Sequence, residues 1–314
     1  WAALEGGDEE QQTARQTLLE VLVGARGRMA ELSRASLRLV DLLAVASRLI
    51  GTGRIGGKSL GMLVARAILE QGGAETLAGR LEPHDSFFIG SDVFVTFLVS
   101  NGWWSHWTAH KQGADAPGGT IAAAERLHRF IPTGEFPRAL REDFLQLLEH
   151  FGQAPIIVRS SSLLEDNYGN AFAGQYDSVF CANRGTREER LAALLDAVRQ
   201  VYASTLSESA LRYRERRGLL DEHEQMALLI MRVSGTAGHR YFHPHAAGVG
   251  MSFNPFRWHP RIDMRAGVVR LVAGLGTRAV DRADDDYTRL IALNEPELRP
   301  ETKQRRNTGK AEHE

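Results

Sequence analysis

The sequence predicts a mixed helix-and-sheet protein, either α/β or α+β, and three observations predict it. Apolar residues recur at helical spacing through residues 14–50 and again through 188–217. Short apolar runs at Ile156–Val158, Ser178–Cys181 and Met226–Val233 have the length and composition of strands buried in a sheet. The two kinds of segment interleave, so helices must pack against a sheet.

Residues 1–12 are polar and acidic and are expected to fray. Leu18, Leu19 and Leu22, then Leu37, Val40, Leu43 and Leu49, trace an apolar helical face. Gly24 and Gly27 divide that stretch into two expected helices ending near Ile50. A glycine-rich turn follows from Gly51 to Gly61, and Met62–Glu70 reads as a helix stopped by Gly72 and Gly73. Ser86–Ile89 and Val93–Val99 read as strand-like or mixed, and Gly113–Gly119 as a loop. Glu125–Phe130 and Arg138–Phe151 read as helices. Pro155 introduces the strand at Ile156, and a polar loop leads to the strand at Ser178. Glu188–Arg217 forms one or two helices, with Leu191, Leu194, Leu195, Val198 and Val201 on one face. Ala247–Phe253 and Val268–Ala273 are the remaining expected strands. No internal repeat is visible.

The chain has 314 residues, with 38 Lys and Arg against 39 Asp and Glu, and a net charge of −1. That balance argues against a nucleic-acid surface, which needs concentrated positive charge. Cys181 is the sole cysteine, so an internal disulfide and a cysteine-based zinc cluster are excluded. No run of about 18 apolar residues exists, and a membrane span is not expected. A reducing, cytoplasmic setting fits these features. The chain begins at Trp1 and stops in a polar tail, as a piece of a longer protein would.

Two segments could carry chemistry. Gly56-Gly57-Lys58-Ser59 invites a P-loop reading, but that motif would place its first glycine at position 52, which is Thr52. A P-loop also follows a strand, whereas a helix is expected before this turn. What remains is a turn whose glycines let backbone N–H groups approach an anion beside Lys58, or a plain helix-start turn with an exposed lysine. The second segment runs from Ile156 to Ser178. Arg159 ends a buried strand, and its guanidinium fork suits phosphate oxygens. Ser160, Ser161, Ser162, Ala173 and Gly174 could form a loop that folds close over a ligand. Alternatively Arg159 pairs with Glu165 or Asp166 and the loop is merely polar. Chemistry alone leaves both open.

The second segment resembles the signature of the nucleotide-binding domain shared by phosphoenolpyruvate synthase, pyruvate phosphate dikinase and rifampicin phosphotransferase. Arg159-Ser160-Ser161, Glu165-Asp166 and Phe172-Ala173-Gly174-Gln175 match it without a gap. Gly56-Gly57-Lys58 with Leu60-Gly61, Ser86–Ile89, Tyr213-Arg214, Met226–Val233, Ala247-Gly248-Val249 with Asn254-Pro255, and Gly274-Leu275-Gly276 resemble further family segments in the same order. The resemblance implies an α+β, ATP-grasp-like, two-lobed fold over residues 51–298, with a helical extension over 1–50 and a polar tail over 299–314. It implies that Gly57, Lys58 and Arg159 hold ATP phosphates, Lys58 and Arg159 being the catalytic cations. Gly174 and Ser178 would line the loop over the nucleotide. Met231, Arg232 and Val233 would meet adenine, mainly through backbone groups.

Several positions depart from the family pattern. Met231 stands where a glutamine is usual, Phe253 where a polar residue is usual, and Thr277 replaces the glutamate of the Gly-Leu-Gly-Glu segment. The family's acidic magnesium-holding segment is expected beyond Glu314, so this chain supplies no assigned metal ligand. Asp284, Asp285 and Asp286 are adjacent and cannot all face one ion; they read as a solvated turn. His245 in His243-Pro244-His245 superficially resembles a phosphocarrier segment but fits the strand after the hinge better. The implied function is ATP binding for phosphoryl transfer, with Mg²⁺ as cofactor, a pyruvate-like acceptor by family default, and a downstream phosphohistidine domain as partner. The alternative, motivated by Thr277 and Phe253, is a regulatory module that keeps nucleotide recognition without catalysis.

Overall fold

The computed structural model describes residues 4–73, 77, 79–112, 119–165, 174–219, 222, 224–238, 241–274, 276 and 288–300. The expectations at 113–118, Asp166, Phe172, Ala173, Leu275, Thr277, 284–286 and 301–314 lie outside these residues. The chain divides into two compact units, Trp1–Val233 and Ser234–Glu314.

The first unit opens with helices α1 (Asp8–Leu22), α2 (Arg28–Ser36) and α3 (Leu39–Ala46), then strand β1 (Leu49–Ile50). Three helices thus replace the expected two, and the acidic start is helical rather than frayed. Asp8, Glu9 and Glu10 occupy the first turn of α1, where carboxylates favour a helix N-terminus. Helix α4 (Gly57–Gly72) begins five residues earlier than the apolar periodicity suggests, which places Lys58 in its first turn. Strand β2 (Ser86–Ile89) leads to α5 (Ser91–Ser100), then α6 (Trp104–Gln112), α7 (Gly119–Phe130) and α8 (Arg138–Phe151). The α5 segment is rich in β-branched residues and reads as mixed in sequence. Tertiary packing decides for helix, because Val93, Phe94, Phe97 and Leu98 then fall on one face and are almost wholly buried. Strands β3 (Ile156–Ser162) and β4 (Ser178–Cys181), helices α9 (Arg187–Ser204) and α10 (Glu208–Arg216), and strand β5 (Met226–Arg232) complete the unit.

These strands form one sheet in the order β1-β2-β5-β3-β4. Only the β1–β2 pairing is parallel, so the mixed sheet fits the α+β alternative. Helices cover both faces of its centre. Ile156, Val158, Met226, Leu228 and Ile230 face a core built with α5, α7, α8, α9 and α10. Phe88 and Leu229 face a second core built with α1, α3 and α4. Being covered twice explains why β5 is apolar without alternation. On β3, by contrast, Ile156 and Val158 are buried while Ile157 and Arg159 are only half-buried. Helical cover on the α4 side therefore ends before the β3–β4 edge.

The second unit holds a hairpin, β6 (Thr236–Gly238) with β7 (Tyr241–His243), and an antiparallel sheet of β8 (Ala246–Met251), β9 (Val268–Ala273) and β10 (Arg289–Ala292) in the order β10-β9-β8. Among the described residues, Val268, Val272, Ala292 and Ile262 are its buried apolar residues.

Candidate functional site

The glycine-rich turn and the end of β3 are fastened to each other. Gly56 is the N-cap of α4 at φ +75°, a conformation that L side chains rarely adopt. A Cβ there would lie 1.5 Å from the Ser161 carbonyl oxygen. Glycine is thus required twice over, by backbone conformation and by close approach. Ser161 Oγ donates to the Ile55 carbonyl at 2.8 Å and accepts from the Ser59 N–H at 3.0 Å. The first-turn N–H groups of Gly57 and Lys58 have no partner among the described residues, the usual state of a helix N-terminus and one that favours anions.

Lys58 is not the exposed lysine of a plain turn. Its ammonium donates to Glu165 Oε1 at 2.7 Å and to Ser160 Oγ at 2.6 Å. Glu165 is 2% exposed and also accepts from Ser160 Oγ at 3.1 Å and from the Ser162 N–H at 2.9 Å. An ammonium has three donors, and two are used here.

The three serines are not part of a loop that closes over a ligand. They end β3, are fully buried, and each serves a different neighbour. Ser160 joins the Lys58–Glu165 pair, Ser161 fastens α4, and Ser162 donates to the Glu224 carboxylate. Tyr176 donates to the other oxygen of Glu224 at 2.5 Å. Burial pushes the Glu224 carboxyl above its ordinary value, against the opposing pull of the nearby Arg214 guanidinium and of the Ser162 and Tyr176 hydrogen bonds. Burial also raises the Tyr176 hydroxyl, and the Glu224 charge adds to the rise.

Arg159 differs from Lys58. It is half-buried, and among the described residues its side chain makes no hydrogen bond and no ion pair. Glu165, one of its two conceivable partners, is taken by Lys58, and Asp166 lies outside the described residues. Ser178 stands directly opposite Arg159 on β4, and Leu229 directly opposite on β5. Ser178 is exposed, as is Gly174, which adopts φ +72°. The structure thus places Lys58 against Ser160 at the end of β3 and Ser178 opposite Arg159 in the middle of that strand.

The hinge residues lie at the end of β5. Met231 lies beside Ile157, two positions along β5 from Leu229 and on the same face. The Arg232 N–H donates to the Asp85 carbonyl at 3.0 Å, and the Val233 N–H to the Pro155 carbonyl at 2.9 Å. Both edges of β5 are paired, and these two N–H groups serve the sheet. The Arg232 side chain pairs with Asp85 at 2.8 Å, and Arg48 and His150 reach the same carboxylate at 2.9 and 2.7 Å. Burial alone would raise the Asp85 carboxyl, but the His150 and Arg232 hydrogen bonds override it and hold it below its ordinary value.

Asp92 gives the glycine-rich turn its anion. Its carboxylate accepts from the Thr52 N–H at 2.9 Å and from the Gly53 N–H at 2.7 Å. Those two N–H groups therefore serve the protein itself rather than a ligand. Among the described residues, no three His, Cys, Asp or Glu side chains converge to hold a metal ion. Glu165, which holds the Lys58 ammonium, is occupied by its three donors, so among the described residues these side chains do not fit a magnesium site. Cys181 lies in the core on the opposite side of β4, where burial pushes its thiol up to about 11 and leaves it inert.

Sequence reasoning missed Glu224, Tyr176 and Asp85 as organisers of this region. An isolated acid between a helix and a strand carries no spacing that would reveal it. Glu165 was visible in the sequence, but as a partner for Arg159 rather than Lys58.

A family model described as pyruvate phosphate dikinase, AMP/ATP-binding domain, matches residues 52–313. A comparison with curated proteins gives no match.

Proposed function

The chain belongs to the family of the pyruvate phosphate dikinase AMP/ATP-binding domain, and from that premise we propose that it binds ATP for phosphoryl transfer, with Lys58 and Arg159 gripping the phosphates. The observation that carries the assignment is Arg159. A half-buried guanidinium without a protein partner among the described residues is costly unless an anion completes it. Next to it in sequence is Ser160, which touches Lys58, so two cations flank one stretch of β3. The free N–H groups of Gly57 and Lys58 add donors of the same sign. Gly174 and Ser178 would line the same nucleotide site from the β4 side.

Catalysis on such a site is positioning and charge neutralisation rather than covalent chemistry. Lys58 has one donor left for a phosphate oxygen, and Glu165 holds its ammonium in place until the nucleotide arrives. Mg²⁺ is proposed as the cofactor on the strength of family membership alone. We further propose an ATP-grasp-like fold over residues 51–298, a pyruvate-like acceptor and a separate phosphohistidine domain, on the strength of family membership. A calorimetric titration with ATP tests the site. Arg159→Ala is expected to keep its circular dichroism spectrum and to weaken ATP about tenfold to a hundredfold. Undiminished affinity would remove the assignment.

A further inference from the structure

Glu224 is a buried acid with no direct part in gripping phosphate. It is 1% exposed and lies in the segment between α10 and β5. Its neighbour Gln225 accepts from the Leu163 N–H at 3.2 Å, which fastens that segment to the end of β3. The Glu224 carboxylate accepts from two hydroxyls, Ser162 on one oxygen and Tyr176 on the other. Tyr176 is itself buried and sits between Gly174 and Ser178 in the chain.

Ser162 carries the connection further. Its main-chain N–H donates to Glu165 Oε2 at 2.9 Å, while Glu165 Oε1 takes the Lys58 ammonium at 2.7 Å. A continuous line of hydrogen bonds therefore runs from Tyr176 through Glu224, Ser162 and Glu165 to Lys58. Burying two acids on one residue is costly unless each is compensated. Lys58 compensates Glu165. Arg214 of α10, also 1% exposed, serves Glu224 through its charge. The Arg214 guanidinium donates to the Thr205 carbonyl at 2.7 Å, and among the described residues it makes no direct ion pair.

The state of Glu224 decides whether the line is whole. Ser162 Oγ accepts from the Leu164 N–H at 2.9 Å and has one proton to give, which goes to Glu224. An ionised carboxylate takes both the Ser162 and the Tyr176 proton. A protonated one becomes a donor at one oxygen, and one of the two hydroxyls then loses its acceptor. Among the described residues, Arg214 and the two hydroxyls favour the charge on Glu224, and Glu165 opposes it.

We propose that Glu224 is a positioning residue for the phosphate grip, acting through Ser162 and Glu165 on the Lys58 ammonium and holding the Tyr176 segment to the same line when ionised. Its charge is offset by Arg214, so it orients Lys58 without repelling phosphate. The inference rests on the nucleotide reading given above and adds to it a control by protons.

Calorimetry with ATP and with inorganic tripolyphosphate, repeated from about pH 5 to about pH 9, tests it. Glu224→Gln carries an uncharged group of the same shape at every pH. At the acid end its Kd values are expected to match wild type. Towards the alkaline end wild type should bind both probes about threefold to tenfold more tightly, the equivalent of one hydrogen bond. Titration of the phosphates is common to both proteins and cancels in the ratio. Tyr176→Phe keeps the buried ring and the Glu224 charge but removes one link. It should weaken both probes at the alkaline end by a similar factor, with an unchanged circular dichroism spectrum. A Kd ratio near one at every pH overturns the positioning role, even if the urea midpoints of both variants fall. Tighter binding by Glu224→Gln, or a loss confined to ATP with tripolyphosphate spared, also overturns it. In each of those cases a loss of ATP affinity in Arg159→Ala leaves the nucleotide reading standing. If the wild-type chain binds neither probe, the nucleotide reading fails and the positioning role with it.

Discussion

Gly56→Ala is the most demanding test of how the site is built. At φ +75° an L side chain costs about 1 kcal/mol or more before any contact is considered. The new methyl would also sit 1.5 Å from the Ser161 carbonyl oxygen and 2.5 Å from its carbon. Both are backbone atoms, so no rotamer change relieves the overlap. The start of α4 must withdraw from β3, stretching the bonds Ser59 N–H to Ser161 Oγ and Ser161 Oγ to the Ile55 carbonyl. Each buried bond is worth about 1 kcal/mol, and its orphaned groups cost further. The expected destabilisation is about 3–4 kcal/mol, read as a lower urea midpoint by circular dichroism. Because Lys58 lies two residues on, ATP affinity should fall as well. Gly61→Ala is the control: it lies inside α4 with open space around its Cβ position. That substitution should be neutral or stabilise by up to about 1 kcal/mol. A Gly56→Ala protein within about 1 kcal/mol of wild type would refute the close-approach argument.

Lys58→Met leaves Glu165 buried without its cation and is expected to cost about 2 kcal/mol, discounted for the partial exposure of Lys58. Lys58→Met combined with Glu165→Gln should recover much of that stability in urea unfolding without recovering ATP binding. The Glu224 carboxyl is raised in the folded state, so between its ordinary value and its folded one the native protein holds a proton that the unfolded chain has lost. Stability through that window should fall as pH rises, and Glu224→Gln should flatten the slope in pH-dependent melting curves. Asp85 is depressed, so its contribution is present above its ordinary value and lost as pH falls through its folded value. Acid unfolding below about pH 4 should therefore be shallower in Asp85→Asn than in wild type.

Much of the sheet was legible because its strands have clean boundaries. Ser178–Cys181 and Val268–Ala273 occur where their apolar runs place them, and β5 stops one residue short of its expected end. Helix α5 was not legible, since its valines and threonine favour a strand locally and only the buried Phe94 and Phe97 contacts select the helix. The start of α4 was hidden by its glycines, whose local preference for a turn is overridden by the close contact with Ser161. Ser160–Ser162 read as part of a polar loop because three adjacent hydroxyls suit a loop. They are buried because Lys58, Ser59 and Glu224, distant in sequence, and the neighbouring Glu165 satisfy each of them. The cations themselves stood out from type and position alone. Their partners did not, since pairing across about a hundred residues leaves no periodicity to read.

A crystal structure with a non-hydrolysable ATP analogue tests the central claim most directly. Phosphate oxygens within hydrogen-bonding distance of the Arg159 guanidinium and the Lys58 ammonium would bear it out. A nucleotide seated elsewhere, with Arg159 still unpaired and Lys58 still bonded only to Glu165 and Ser160, would contradict it.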